Sequence, residues 1–351
     1  MSDRKYKPGK HFLQLPGPSN VPDRILNAMC YPTIDHRGPE FSELALKCLS
    51  SIKTIFKTKN PVIIFPASGT GAWEAALVNT LNDGDNVLMV ETGHFASLWN
   101  NMAQKLGLKV ELLKTDWRQG LDPNEIEKRL RLDVEKKIKA VCIVHNETST
   151  GCTANVKAVR DILDDLSHDA LLMVDTISGL ASMNYEHDDW GVDITISGSQ
   201  KGLMLPPGLS FNAISEKAIN ASKKSGLKKS YWDWDEHLEF NRTGFFPYTP
   251  ATNLLFGLKE AIEMLHEEGL TNVFKRHARY SKATRIAVNA WGLEVYCQND
   301  ERFSDVLTAV LVPENKDANQ LRKIILENFN MSLGNGLSKL TGKVFRIGHL
   351  G

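Results

Sequence analysis

The 351-residue chain carries no disulfide framework, no membrane-spanning run and no excess of either charge. Its five cysteines, Cys30, Cys48, Cys142, Cys152 and Cys297, are odd in number and include no CxxC pair. They read as reduced thiols of a cytosol-like compartment. No apolar run is long enough to cross a bilayer, and residues 1–10 lack the apolar stretch of a secretory signal. The expectation is a soluble, cytoplasmic protein with no membrane contact. The 42 basic and 42 acidic residues leave a formal net charge of +0. There is no long-range field to draw in nucleic acid, so an anionic substrate must be caught by local groups. No group of His, Cys, Asp and Glu has the spacing of a metal site. What remains, 42% hydrophobic and 24% charged residues, is the balance of an ordinary globular protein long enough for two domains.

Between about residues 60 and 215 the pattern is strand, loop, helix, repeated. Short apolar runs lie at 62–65, 86–91, 110–113, 140–145, 171–175, 194–197 and 209–213, with helical periodicity over 72–81, 95–106, 123–132 and 156–166. This alternation predicts an α/β fold with a mainly parallel, seven-stranded sheet covered on both faces. Residues 14–37 are rich in Pro and Gly and read as extended and looping. An amphipathic helix is predicted over 40–56, and others over 253–268 and 270–291. The stretch 222–241 shows no period, and its tract Tyr231-Trp-Asp-Trp-Asp-Glu-His237 reads as an interface without chemistry. Residues 294–340 suggest a smaller α+β unit, and 344–351 a final strand.

In a parallel α/β sheet ligands bind beyond the carboxyl ends of the strands, and polar and small residues gather there. Ser68-Gly-Thr-Gly71 opens a helix and suits a phosphate. A P-loop is excluded because the Gly-Lys-Ser/Thr is missing. A dinucleotide fingerprint stays open, since Glu91 lies near the place of a ribose-binding acid, although Glu74 stands where the third Gly should be. Asp175 ends a buried strand. It is a helix cap, a structural ion pair, or the partner of a cation such as a protonated pyridine nitrogen. Lys201, in Gly-Ser-Gln-Lys-Gly, lies in a small, uncharged neighbourhood where desolvation would leave its amine nucleophilic. Phe95 is either core or a platform for a flat ring, and Thr148 a turn residue or a hydrogen-bonding group. Arg346, on an apolar strand, is salt-bridged or waits for a carboxylate.

Together these motifs resemble one family. Asp175 followed by Ser-Gly-Ser-Gln-Lys201-Gly looks like the class V branch of pyridoxal phosphate (PLP) enzymes of fold type I. Leu15–Asn20, Asp35–Phe41, His145–Gly151, Tyr248–Asn253 and Gly342–Gly348 are similar to the serine/alanine–glyoxylate aminotransferases. The match runs from about residue 13 to the last residue and speaks against NAD. The resemblance implies that Lys201 carries PLP as a Schiff base and then shuttles the proton, and that Asp175 pairs with the ring nitrogen. It implies that Phe95 and Ile177 flank the ring, that Ser68, Gly69, Thr70 and Gln200 hold the phosphate, and that Thr148 sits near the ring oxygen. Arg346 would clamp the substrate carboxylate, with Gly17 against the substrate. Tyr248 and Thr249 would reach the phosphate of the partner subunit in a homodimer. The implied domains are an N-terminal segment, 1–40, a large PLP-binding domain, 41–255, and a small C-terminal domain, 256–351. Relatives continue past the Arg-Ile-Gly segment, so the small domain is expected to be truncated.

The implied reaction passes nitrogen from an amino acid to glyoxylate, giving glycine and a 2-oxo acid. Serine is the favoured donor, yielding hydroxypyruvate. Aspartate, with His36 or Arg37 as a second cation, and alanine are the alternatives. Remoter readings are a cysteine desulfurase, for which Cys297 is the only thiol after Lys201, and a non-catalytic PLP-binding protein.

Overall fold

Runs that are apolar without alternation belong in strands covered on both sides, and the computed structural model, which describes residues 9–351, places them there. The first eight residues of the expected N-terminal segment lie outside the described residues. In chain order the elements are β1 (Phe12–Gln14), α1 (Asp23–Met29), α2 (Pro39–Phe56), β2 (Val62–Phe65), α3 (Gly69–Thr80), β3 (Asn86–Glu91), α4 (His94–Lys105), β4 (Lys109–Lys114), α5 (Pro123–Leu132) and β5 (Ile138–Val144). There follow the short β6 (Asn146–Glu147) and β7 (Cys152–Thr153), α6 (Val156–Asp165), β8 (Leu171–Asp175), β9 (Ile194–Gly198), β10 (Ser210–Ile214), α7 (Glu216–Ser222) and α8 (Trp234–Asn241). The chain closes with α9 (Thr252–Glu268), α10 (Leu270–Ala290), β11 (Glu294–Val295), β12 (Leu307–Leu311), α11 (Ala318–Phe329), β13 (Met331–Asn335) and β14 (Val344–Gly348).

Seven strands form the main sheet in the order β2-β10-β9-β8-β5-β3-β4. β10 runs antiparallel to both its neighbours, and the other pairs are parallel. Side chains alternate between two cores, as the pleat requires. Val62 and Ile64 of β2, Val141 and Ile143 of β5 and Leu172 and Val174 of β8 enter one core with α2, α6 and α9. Ile63 and Phe65, Ala140 and Cys142, and Leu171 and Met173 enter the other with α3 and α4. The parallel register pairs Val144 with Asp175 and Asp175 with Ile196. β5 and β8 therefore end level, β9 runs on to Gly198, and the segments that follow them open onto one rim.

A second sheet, β1-β13-β14-β12-β11, gathers the C-terminal strands. The N-terminal β1 joins it alongside β13 in parallel. The helix α9 packs within the core of the main sheet through Leu255, Leu258, Ala261 and Ile262. Among the described residues no helix is long and apolar enough to cross a membrane.

Three expectations need correction. The stretch 14–37 is not wholly extended, since α1 starts directly after Pro22 with Asp23 in its first turn, a favourable opening. The stretch 222–241 contains α8, whose Asp233 cap accepts from the Asp235 amide. Its Trp234 is fully buried and Trp232 packs edge-on against Phe65, so the tract is anchored in the core there, while Tyr231, Asp235 and Glu236 are exposed. Burying an aromatic the size of Trp234 is worth ~3 kcal/mol. The last strand stops at Gly348 instead of running to residue 351.

Candidate active site

The rim holds a cleft of about 100 Å³. Of the residues singled out in the sequence, Ser68, Gly69, Thr70, Phe95, Thr148, Asp175, Ile177, Gln200 and Lys201 line it. Trp73, Val144 and Asn146 line it too, and nothing in the sequence reading assigned them. Trp73 was detectable: four residues beyond Gly69 on α3, it shares that residue's face.

Lys201 follows β9 and is 9% exposed. Its Nζ donates to the Pro16 carbonyl at 2.9 Å. Burial, assisted by Arg346 and opposed by Asp175, lowers its pKa to about 8. Gly17 has a φ of +94° and lies against this side chain, where a Cβ would overlap the lysine's Cδ and Nζ. A glycine is therefore required both by the backbone and by the approach.

Asp175 ends β8 and is 4% exposed. Its Oδ2 accepts from Trp73 Nε1 at 3.0 Å and its Oδ1 from the Ile177 amide at 2.7 Å. Burial nevertheless raises its pKa to about 7, with Glu147 adding to the effect against the two hydrogen bonds and Lys201. A carboxyl group in this state favours a cationic partner.

The N-terminus of α3 lines the same cleft. Ser68 precedes it without a side-chain cap, and among the described residues nothing accepts from the Gly69 or Thr70 amides. A Cβ on Gly69 would overlap Ile177, and one on Gly198 would sit 3.6 Å from the Gly69 nitrogen. Gln200 Oε1 is buried without a hydrogen-bond partner. Free amides at the positive end of a helix dipole form an anion cradle.

Arg346 reaches the rim from β14 of the second sheet. Its Nε donates to the Asn335 carbonyl at 2.7 Å and its Nη1 to the Thr148 carbonyl at 2.9 Å. It is 6% exposed, and burial, partly opposed by Glu147, lowers its pKa to about 10. No carboxylate among the described residues pairs with it, so its charge and its Nη2 are left for a ligand. The Thr148 hydroxyl donates to Ser178 Oγ at 2.8 Å.

Other candidates lie elsewhere. Tyr248 stacks on Tyr231 with centroids 4.9 Å apart, Thr249 is exposed, and neither lines the cleft of its own chain. His36 and Arg37 do not line it either. Cys297 is buried just beyond β11.

A desolvated amine, a buried acid and free helix amides share the rim of the main sheet, and a guanidinium without a carboxylate partner reaches it from the second sheet; these are the parts that an amino-transferring α/β enzyme needs. The class-V aminotransferase family model matches residues 12–336. A serine–glyoxylate aminotransferase of Methylorubrum extorquens is 48% identical over 98% of this chain and 87% of its own length. An L-aspartate–glyoxylate aminotransferase of Paracoccus denitrificans is 43% identical over 96% and 85%. The crystal structure of an alanine–glyoxylate aminotransferase from Nostoc sp. superimposes with a TM-score of 0.92 at 29% identity, covering 100% of this chain and 94% of that one. The chain belongs to the class-V aminotransferase family, in its serine/alanine–glyoxylate branch.

Proposed function

We propose that the protein is a PLP-dependent serine–glyoxylate aminotransferase that converts L-serine and glyoxylate to hydroxypyruvate and glycine. The observation that carries the cofactor reading is the pairing of Asp175, an acid short of a cation, with Lys201, a desolvated amine, across a cleft with free helix amides. The donor reading rests on the serine-specific name of the 48% identical relative.

PLP, when bound, would supply the carbonyl that takes the amino group and the ring that draws electrons from Cα. Asp175 would hold the ring nitrogen protonated. Ser68, Gly69, Thr70 and Gln200 would hold the phosphate, Phe95 and Ile177 would flank the ring, and Thr148 would lie at the ring oxygen. The Lys201 amine would anchor the resting enzyme and, once displaced, take the proton from Cα and return it on the cofactor side. Arg346 would grip the carboxylate common to both substrates, beside Gly17. Tyr248 and Thr249, turned away from their own cleft, would complete the phosphate site of a partner subunit in a homodimer. The same reading keeps residues 41–255 as the cofactor domain, 256–351 as the small domain, and the cytoplasm as the compartment, in line with five free cysteines.

Aspartate is the second reading, favoured by the name of the Paracoccus relative. Neither His36 nor Arg37 lines the cleft of its own chain, so a second cation for aspartate from these residues would come from a partner subunit. Half-reactions decide the donor. When the yellow enzyme is mixed with serine, alanine and aspartate separately, serine should bleach the visible band fastest. If none of the three bleaches it, the donor assignment is wrong.

Arg346→Ala should lower kcat/KM for donor and acceptor alike by about a hundredfold, the loss of a charge-assisted pair worth ~3 kcal/mol. Steady-state kinetics with each substrate varied in turn measures this. An effect on one substrate alone would rule out a shared clamp.

A further inference from the structure

Glu147 is completely buried, and nothing above gives it a task. A carboxyl group withdrawn from water must replace its hydration with hydrogen bonds. Half of these come from a helix that cannot cap itself. The residue before α4 is Gly93, and no side chain of its own satisfies the first turn. The first three amides of α4 donate outward instead. His94 N donates to Ser149 Oγ at 2.9 Å, Phe95 N to Glu147 Oε1 at 3.3 Å and Ala96 N to Glu147 Oε2 at 3.1 Å. The amide and hydroxyl of Ser149 also donate to Oε1, at 3.0 and 2.6 Å. A Cβ on Gly93 would overlap both Glu147 Cγ and Ser149 Oγ, so the glycine is what allows this remote cap to close. A carboxyl group at a helix N-terminus is also favoured by the dipole.

The two capping residues flank Thr148. The second residue of the helix they cap is Phe95, which lines the cleft, and the carbonyl of Thr148 accepts from Arg346 at 2.9 Å. Three side chains assigned to different parts of the ligand thus hang from one tripeptide.

We propose that Glu147 is a positioning residue: by capping α4 from the 147–149 segment, it fixes Phe95 against the cofactor ring and holds that ring platform in register with Thr148 and Arg346. The proposal rests on the PLP reading and adds a residue that touches neither cofactor nor substrate. Glu147 acts through Phe95 and Thr148.

The test compares wild-type and Glu147→Gln holoenzymes. Glutamine has one acceptor oxygen, and its NH2 would face an amide that itself donates, so at least one anchor of α4 is lost. The readouts are the visible absorbance of the bound cofactor, its induced circular dichroism, the cofactor dissociation constant, and kcat and KM separately. Glu147→Gln should keep the lysine-linked absorbance band, because Lys201 is untouched. Its induced dichroism should fall by about half, its cofactor dissociation constant should rise about tenfold, and kcat should fall more than KM rises, as expected for loss of one buried hydrogen bond beneath the ring platform. Wild-type dichroism and cofactor affinity in the folded variant would overturn the proposal. If Glu147→Gln does not fold, Ser149→Ala decides. It removes one donor to the carboxyl group and the acceptor of the His94 amide while leaving Glu147 in place. Reduced dichroism in the folded variant supports the cap, and unchanged dichroism overturns it. A wild-type holoenzyme without a visible band would instead sink the PLP reading itself, whatever the variants do.

Discussion

Lys201→Ala is expected to lower transamination by about 10⁴-fold or more, since it removes both the anchoring nucleophile and the proton carrier. No other group lining the cleft can substitute. Asp175 is committed to its bonds with Trp73 and Ile177, and the remaining polar lining consists of hydroxyls and amides. The lysine is also prepared for the task. Its Nζ is held by the Pro16 carbonyl, and burial lowers its pKa from 10.5 to about 8. In the cofactor-free protein the neutral, reactive amine is therefore the minor form below pH 8 and dominant above it. Capture of added PLP should accelerate up to about tenfold per pH unit on the acid side and level off above about pH 8. Stopped-flow absorbance follows the capture, and steady-state assays the turnover. Turnover at the wild-type rate in the alanine variant would sink the mechanism. Capture that is flat from pH 6 to 9 would show that the amine is not the titrating group.

The sequence disclosed this lysine through its setting, and the fold was legible for a related reason. Runs such as Val62–Phe65 and Leu171–Asp175 are apolar throughout because both faces of the sheet are covered, and small or polar residues mark where they stop. Helix starts were less legible where they matter most. Periodicity predicted helices from residues 72 and 95, whereas α3 and α4 begin at Gly69 and His94. The first turn of α3 faces the cleft, so its small and polar residues carry no apolar repeat. The helix α1 was hidden by the density of Pro and Gly around it, and α8 by aromatics that pack into the core on a helix of only eight residues. Asn146 lies within His145–Gly151, yet its place at the cleft depends on which way the end of a strand turns. Glu147 was hidden more deeply, because its partners lie about 50 residues away at the start of α4. Tyr248 and Thr249 do not meet the cleft within one chain, and their assigned role needs a second copy.

Asp175→Asn should move two quantities in opposite directions. Catalysis should fall by about 10³-fold, the scale of losing one preorganised electrostatic partner of the reacting system. The cofactor-free protein should become more stable at pH 8. Burial raises the aspartate's pKa from 3.8 to about 7, so between those values the folded chain holds a proton that the unfolded chain has released. Its contribution to stability is greatest below pH 4 and is lost as pH rises towards 7, at about 1.4 kcal/mol per pH unit and on the order of 4 kcal/mol in all. Asparagine carries no such term. Its amide can satisfy only one of the two donors, Trp73 Nε1 and the Ile177 amide, which costs ~1–2 kcal/mol at every pH. Chemical denaturation of the cofactor-free proteins should therefore find the variant less stable than wild type near pH 4 and ~2 kcal/mol more stable at pH 8. With PLP bound the order should reverse, because the ring nitrogen gives the aspartate its cation and gives the asparagine none. A wild-type stability curve parallel to the variant's from pH 4 to 8 would mean that Asp175 is already paired in the empty cleft. In that case its carboxylate is not a site held open for a cationic ring.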